Sequence, residues 1–297
     1  KGINSGTITM SGTASAQDKT VVGMVAKAGT GKIAIIENIS EKEIIAGANL
    51  GMYIAGTGTS SGKNTGKITT TTGTGVYVDG ATNSFDGTGG TITSGGVGIS
   101  LNGTAAGQIK TGTLDIKPDG VGVYGNNAKI DFAVNVEGEG AVGVAAKGHS
   151  VISKDVTTGV GSVGVYLLDD TVTFENVNIE TGNNKEETTS GANDGKTSVG
   201  ILLNAAGAYT LDKVNINAKN GVGVYLEDST KPNSGIKTLT HNGKITIGNN
   251  GVGIYVNKGN ILTTKTTVLD INGGTGIYLD GGTANLGTTA EKLTFNF

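Results

Sequence analysis

The chain has 297 residues, of which 53 are Gly and only 2 Pro, with no Cys and no Trp. Its 25 acidic residues face 22 basic ones, every one a Lys, for a net charge of -3; that excludes the strongly basic footprint of a nucleic-acid binder, and the lack of Cys excludes a disulfide scaffold, a thiolate metal site and a Cys nucleophile. The apolar runs stop at about six residues, far short of the roughly 20 that a membrane helix needs.

The sequence opens at Lys1 without an initiator Met or a signal-type apolar stretch, and ends at Phe297 inside a strand-like run. It reads as a processed or truncated piece of something longer. From there one short pattern, apolar-Gly-apolar-x-apolar, recurs in chain order. It begins as VGMVA around Gly23, LGMYI around Gly51, TGVYV around Gly75 and VGISL around Gly98. It continues as VGVYG around Gly122, VGVAA around Gly143, VGVYL around Gly164 and VGILL around Gly200. The last copies are VGVYL around Gly223, VGIYV around Gly253 and TGIYL around Gly276. The eleven glycines are spaced by 21 to 36 residues, with a mean near 25.

Between the motifs lies a second run with two-residue alternation: TLDI ending at Ile116, KIDF at Phe132, TVTF at Phe174, KITI at Ile247 and KLTF at Phe295. Its β-branched and aromatic residues mark a half-buried strand. Gly-Asn-Asn, Asp-Gly and Gly-Gly steps join the runs and suit tight turns. No segment shows an apolar 3.6-residue period, so almost no helix is predicted.

Strand alternation puts the residues before, one after and three after the motif Gly on one side. The position one after is apolar in every copy, from Met24 and Met52 through Val76 and Ile99 to Ile254 and Ile277. That side is predicted to be buried, with the Gly and the residue two after it facing outward. A repeat of this size cannot bury its apolar face alone, whereas stacked copies share a continuous core. The prediction is an all-β parallel β-solenoid, a right-handed β-helix of about eleven coils, forming a single body over residues 1–297. Polar insertions near residues 182–197 and 227–235 break the rhythm and read as loops. The six-residue beat of left-handed helices and the Gly-Gly-x-Gly-x-Asp of calcium rolls are both absent.

Repeats of the form GxGIYL and GVGVYL between short xLxI strands, in a Lys-, Asn- and Thr-rich chain without Arg, resemble the passenger regions of large fusobacterial type V autotransporter adhesins. The resemblance spans the chain through its eleven motif copies. It implies a surface-displayed β-helical stalk on the extracellular side of the outer membrane, normally followed by a C-terminal membrane β-barrel that lies outside this sequence. It implies host-cell or bacterial surface proteins or glycans as partners, and no ligand residues carry over from it.

Signatures of chemistry are sparse. Residues 191–197 depart from a phosphate loop, with Ser190 where Gly is required. His149 and His241 lie about four coils apart, in no metal-ligand spacing, and read as surface or turn residues. The main competing function is a polysaccharide-active lyase or glycosidase, which needs clustered carboxylates. Asp115, Asp131, Asp155, Asp212, Asp169 and Asp170 are the candidates; Asp115 and Asp131 are predicted neighbours on successive coils but on the solvated face. The expectation is therefore a non-enzymatic adhesin segment with no cofactor and no metal. Its candidate partner contacts are Tyr53, Tyr77, Tyr124, Tyr166, Tyr225, Tyr255 and Tyr278, which share one outward motif position. A Tyr there offers rigid contact area and a hydroxyl, or simply packs over the motif glycines to stabilise the shaft.

Overall fold

A computed structural model describes residues 1–10, 21–182, 197–218, 220–231, 234–249, 251–286 and 293–296. The insertion expected near residues 182–197 lies, from 183 to 196, outside the described residues. What is described is all β, with parallel strands stacked as a β-solenoid.

All eleven glycine motifs fall into a single eleven-stranded parallel sheet, in chain order from Val22–Ala28 to Thr275–Asp280. This motif face is one side of the shaft. A thirteen-stranded sheet forms a second, long face and contains TLDI in Thr113–Ile116, KITI at the end of Lys237–Ile247, and Leu293–Asn296. A third face is built from five strands between Gly2–Asn4 and Ile109–Lys110, then three more, Lys129–Ile130, Val151–Ile152 and Thr173–Phe174. The second sequence run thus divides between two faces, because KIDF and TVTF belong to the third. From Gly207–Ala218 onward, single strands of 11 or 12 residues cross from the third face into the long face, and the two merge.

The core is made of in-register ladders. Met52, Val76, Ile99, Val123, Val144, Val165, Ile201, Val224 and Ile254 are successive partners on the motif face and are fully buried. Ile44, Ile68 and Ile92 form a matching column on the long face. Full burial of such side chains contributes about 1.5–3 kcal/mol each. The last motif copy departs from this pattern: Ile277 is half-buried and Leu279 is 46% exposed, because their strand is the edge of the sheet.

The orientation of the motif glycines differs from the alternation argument. In Val163–Leu167 both Gly164 and Val165 are buried, while Val163 before them is only half-buried. The same double-inward step recurs in Thr74–Asp79, Val121–Asn126 and Val252–Asn257. The alternation slips at the glycine, which turns its α-carbon toward the long face. A Cβ on Gly164 would lie 2.5 Å from Ile179 Cγ2 and 2.7 Å from the carbonyl oxygen of Gly200. The motif requires Gly because backbone and core side chains converge there, and the tyrosines do not pack over these glycines.

Polar side chains seal the corners. Asn4 Nδ2 donates to Asn38 Oδ1 and Asn38 Nδ2 to Asn64 Oδ1, each at 2.8 Å, inside the corner between the third and long faces. At another corner the backbone amide of Ala28 donates to Ser60 Oγ, and that of Ser60 to Asn83 Oδ1. Turning backbone that a ladder leaves unpaired finds its partners in these side chains, as a buried polar group must.

Candidate functional site

The strand register brings the seven predicted tyrosines into one column. Successive partners run Val25, Tyr53, Tyr77, Ser100, Tyr124, Ala145, Tyr166, Leu202, Tyr225, Tyr255, Tyr278. Their side chains point away from the core, half-buried as far as Tyr255 and 47% exposed at Tyr278. The interruptions divide the column. Tyr53 and Tyr77 stack with ring centroids 5.6 Å apart and planes 13° apart. Tyr225, Tyr255 and Tyr278 form a second ladder at 5.1 and 4.9 Å with tilted rings. Tyr124 stands between the two and carries the Lys147 ammonium 5.8 Å from its ring centre, within cation–π range. The eighth tyrosine, Tyr209, is a core residue whose hydroxyl donates to the Ala205 carbonyl.

A polar column flanks the rings and was missed by sequence reasoning. Two residues beyond the tyrosine position, Asp79, Asn102, Asn126 and Lys147 are successive partners, and Asn257 pairs with Asp280. Asn102 Nδ2 donates to Asp79 Oδ1 at 2.7 Å, and Asn126 Nδ2 to Asn102 Oδ1 at 2.8 Å. Asn257 Nδ2 donates to the Tyr225 hydroxyl, and the Tyr255 hydroxyl donates to Asp280 Oδ2 at 3.2 Å. Burial first, then Asp280, raises the Tyr255 phenol; burial and Asp79 do the same for Tyr77. Both hydroxyls are therefore protonated donors at neutral pH. The sequence signal was the Asp, Asn, Lys or Glu that ends most motif copies, as in VYVD, IYVN and IYLD.

A second candidate is a shallow open groove of about 560 Å³ on the third face, lined by Ile35, Ser61, Lys63, Ser84, Asp86 and Lys110 among others. Glu37, Lys63, Asp86 and Lys110 form one outward column of alternating charge. Its two carboxylates stand two rungs apart, about 10 Å along the axis. That separation invites comparison with glycosidases, but acid–base catalysis there needs one carboxyl raised so that it stays protonated. Here both are lowered: Glu37 chiefly by its hydrogen bond from Lys1, and Asp86 by the Thr88 hydroxyl and amide.

The predicted candidate acids are dispersed. Asp115 lies on the long face and pairs with Lys117, whereas Asp131 follows the third-face strand Lys129–Ile130 and accepts from the Gly107 amide at 2.6 Å. The two are not neighbours, because their strands occupy different faces. Asp155 accepts from Asn178, Asp212 from Asn242, Asp169 from Gly148 and Thr171, and Asp170 from Ala208. Each has a local structural role. No group of three His, Asp or Glu gathers for a metal among the described residues. His149 is exposed, as predicted for a turn. His241, expected at the surface or in a turn, is instead fully buried, between Leu211 and Thr264 in the merged sheet, with Nδ1 3.2 Å from Thr267 Oγ1. Its strand is too long to place it in a turn.

No protein-family model matches the chain, and no match to a curated protein was found.

Proposed function

We propose that this chain is a non-enzymatic display segment of a bacterial cell-surface adhesin of the type V autotransporter kind. Its shaft would hold contact surfaces for a host-cell or bacterial surface protein or glycan on the extracellular side of the outer membrane. The observation that carries this reading is the tyrosine column with its parallel row of amides and carboxylates. Eleven in-register strands hold rigid aromatic area and hydrogen-bonding groups on one face, which lowers the ordering cost of contact. The polar neighbours keep the rings from forming a bare apolar patch.

The test is saturable binding of the purified chain to host cells and to partner bacteria, with Tyr225→Ala/Tyr255→Ala and a deletion of residues 183–196 alongside. Loss of binding with thermal stability largely kept would assign contact to whichever element was removed. Parallel loss of both would make the tyrosines shaft reinforcement. The competing polysaccharide-active reading is decided separately by product release from acidic polysaccharides, read as new reducing ends or as unsaturated-product absorbance.

A further inference from the structure

The groove on the third face is lined by serines, lysines and carboxylates. Its floor follows two outward columns: Ile35–Ser61–Ser84, and Glu37–Lys63–Asp86–Lys110. Its far wall is the segment carrying Gly107 and Gln108. That wall is fixed, because the Gly107 amide donates to Asp131 and the Gln108 carbonyl accepts from the Phe85 amide at 2.9 Å. Gly107 has a φ of 73°, a conformation that favours glycine. The groove is thus built from strands and a pinned turn.

Its lining combines hydroxyl and amide groups with a small excess of positive charge. Ser61, Ser84 and Gln108 offer small donors and acceptors suited to hydroxyl groups. Ile35, 38% exposed, supplies an apolar patch for the C–H face of a ring. Three lysines meet two carboxylates in the lining. Glu37 is already engaged by Lys1 at 2.7 Å, and its contact with Lys63 is long, at 3.8 Å. The Lys63 side chain is 50% exposed. Lys110 is exposed and forms no ion pair with a described residue. Two ammonium groups therefore flank Asp86 with charge to spare. The volume falls within the ~300–1,000 Å³ of small-ligand sites.

We propose that this groove binds a short carboxylate-bearing oligosaccharide. Its carboxylate would be held by Lys63 and Lys110, and its hydroxyls by Ser61, Ser84, Asp86 and Gln108. The proposal goes beyond the adhesin reading by adding a second contact site with a stated ligand class, and rests on that reading for where such a glycan is met. It places recognition on a different face from the tyrosines.

The experiment is calorimetric titration of the full chain with three probes: sialyllactose, tri-galacturonate and neutral maltotriose. The expected result is saturable binding of at least one acidic probe with a Kd below about 1 mM. It should weaken at least tenfold in Lys63→Gln/Lys110→Gln and be unchanged in Lys117→Gln, a lysine paired with Asp115 beside the long face, with maltotriose not binding. Which acidic probe binds tells a host sialoglycan from a uronic-acid polymer. Equal binding of maltotriose, no binding of either acidic probe, or acidic binding indifferent to the double lysine variant would each overturn the proposal. If cells bind the native chain but neither acidic probe does, the adhesin reading survives and the groove does not. If the acidic probe binds but cells do not, the groove survives and the adhesin reading fails.

Discussion

Gly75 and Gly98 stack so closely that a Cβ on Gly75 would lie 2.6 Å from the Gly98 carbonyl oxygen, and 2.6 Å from Ile92 Cγ2. One of these obstacles is backbone of the next coil, and it cannot rotate away. Gly75→Ala is therefore expected to destabilise the shaft by roughly 1–3 kcal/mol, as overpacking does. Gly29→Ala is the control, since a Cβ there meets nothing within 4 Å. Comparison of the two melting curves checks this, and equal curves would refute the close-approach account.

The Asn38 side chain is fully buried, accepts from Asn4 and donates to Asn64 Oδ1. Asn38→Leu keeps the volume but leaves both neighbours short of a partner. The expected cost is about 2–4 kcal/mol, from one to two buried polar groups left unpaired. Amide exchange should quicken around residues 64–67, where Asn38 also reaches the Lys67 carbonyl. Unchanged exchange there would mean that water replaces the ladder.

Burial pushes the His241 imidazole down to about 4. The folded chain thus holds this group neutral while the unfolded chain protonates it near its ordinary 6.5. The stability contribution is full above about pH 6.5 and is lost as pH falls toward about 4, amounting to ~3 kcal/mol across that window. In His241→Leu the fall in melting temperature between pH 7 and 4.5 should be clearly shallower. The Thr267 hydroxyl can still donate to the main-chain carbonyl at position 241, as it does at 2.8 Å in the native chain. An identical pH profile in the variant would show that another group governs acid sensitivity.

Tyr255 touches a ring on each side, Tyr225 and Tyr278. Tyr255→Ala should cost about 1–3 kcal/mol from two aromatic pairs, whereas Tyr124→Ala, lacking a ring partner on either side in the column, should cost less. A cell-binding defect shared by both variants would point to the column as a contact surface. A defect that tracks the melting temperature would point to reinforcement.

The ladder architecture was legible because the motif residue one beyond the glycine is apolar in every copy and the residue three beyond in all but one, where it is Gly125, as stacking of the coils demands. The tyrosine column followed from the same register. The inward turn of Gly164 was not legible, since strict alternation assumes an unbroken strand and the slip comes from the approach of Ile179 on another face. Asp115 and Asp131 looked alike as strand acids, yet they belong to different faces, and local alternation carries no information on which face a strand joins. His241 was misread because its strand, Lys237–Ile247, runs across the place where earlier coils have a corner. The groove depends on a wall pinned by Asp131, a contact between coils that spacing does not encode.

A chain of near-identical coils runs the risk of skipping one as it folds, since each motif strand offers the next much the same apolar surface. The column Glu37–Lys63–Asp86–Lys110 discriminates against that error. In the native order each charge meets its opposite. A strand that skips a coil would set Glu37 beside Asp86, or Lys63 beside Lys110, and like charges directly opposite are destabilising. Across these four coils the alternating signs therefore penalise a skipped coil, whereas the glycine and aliphatic ladders, alike from one coil to the next, do not.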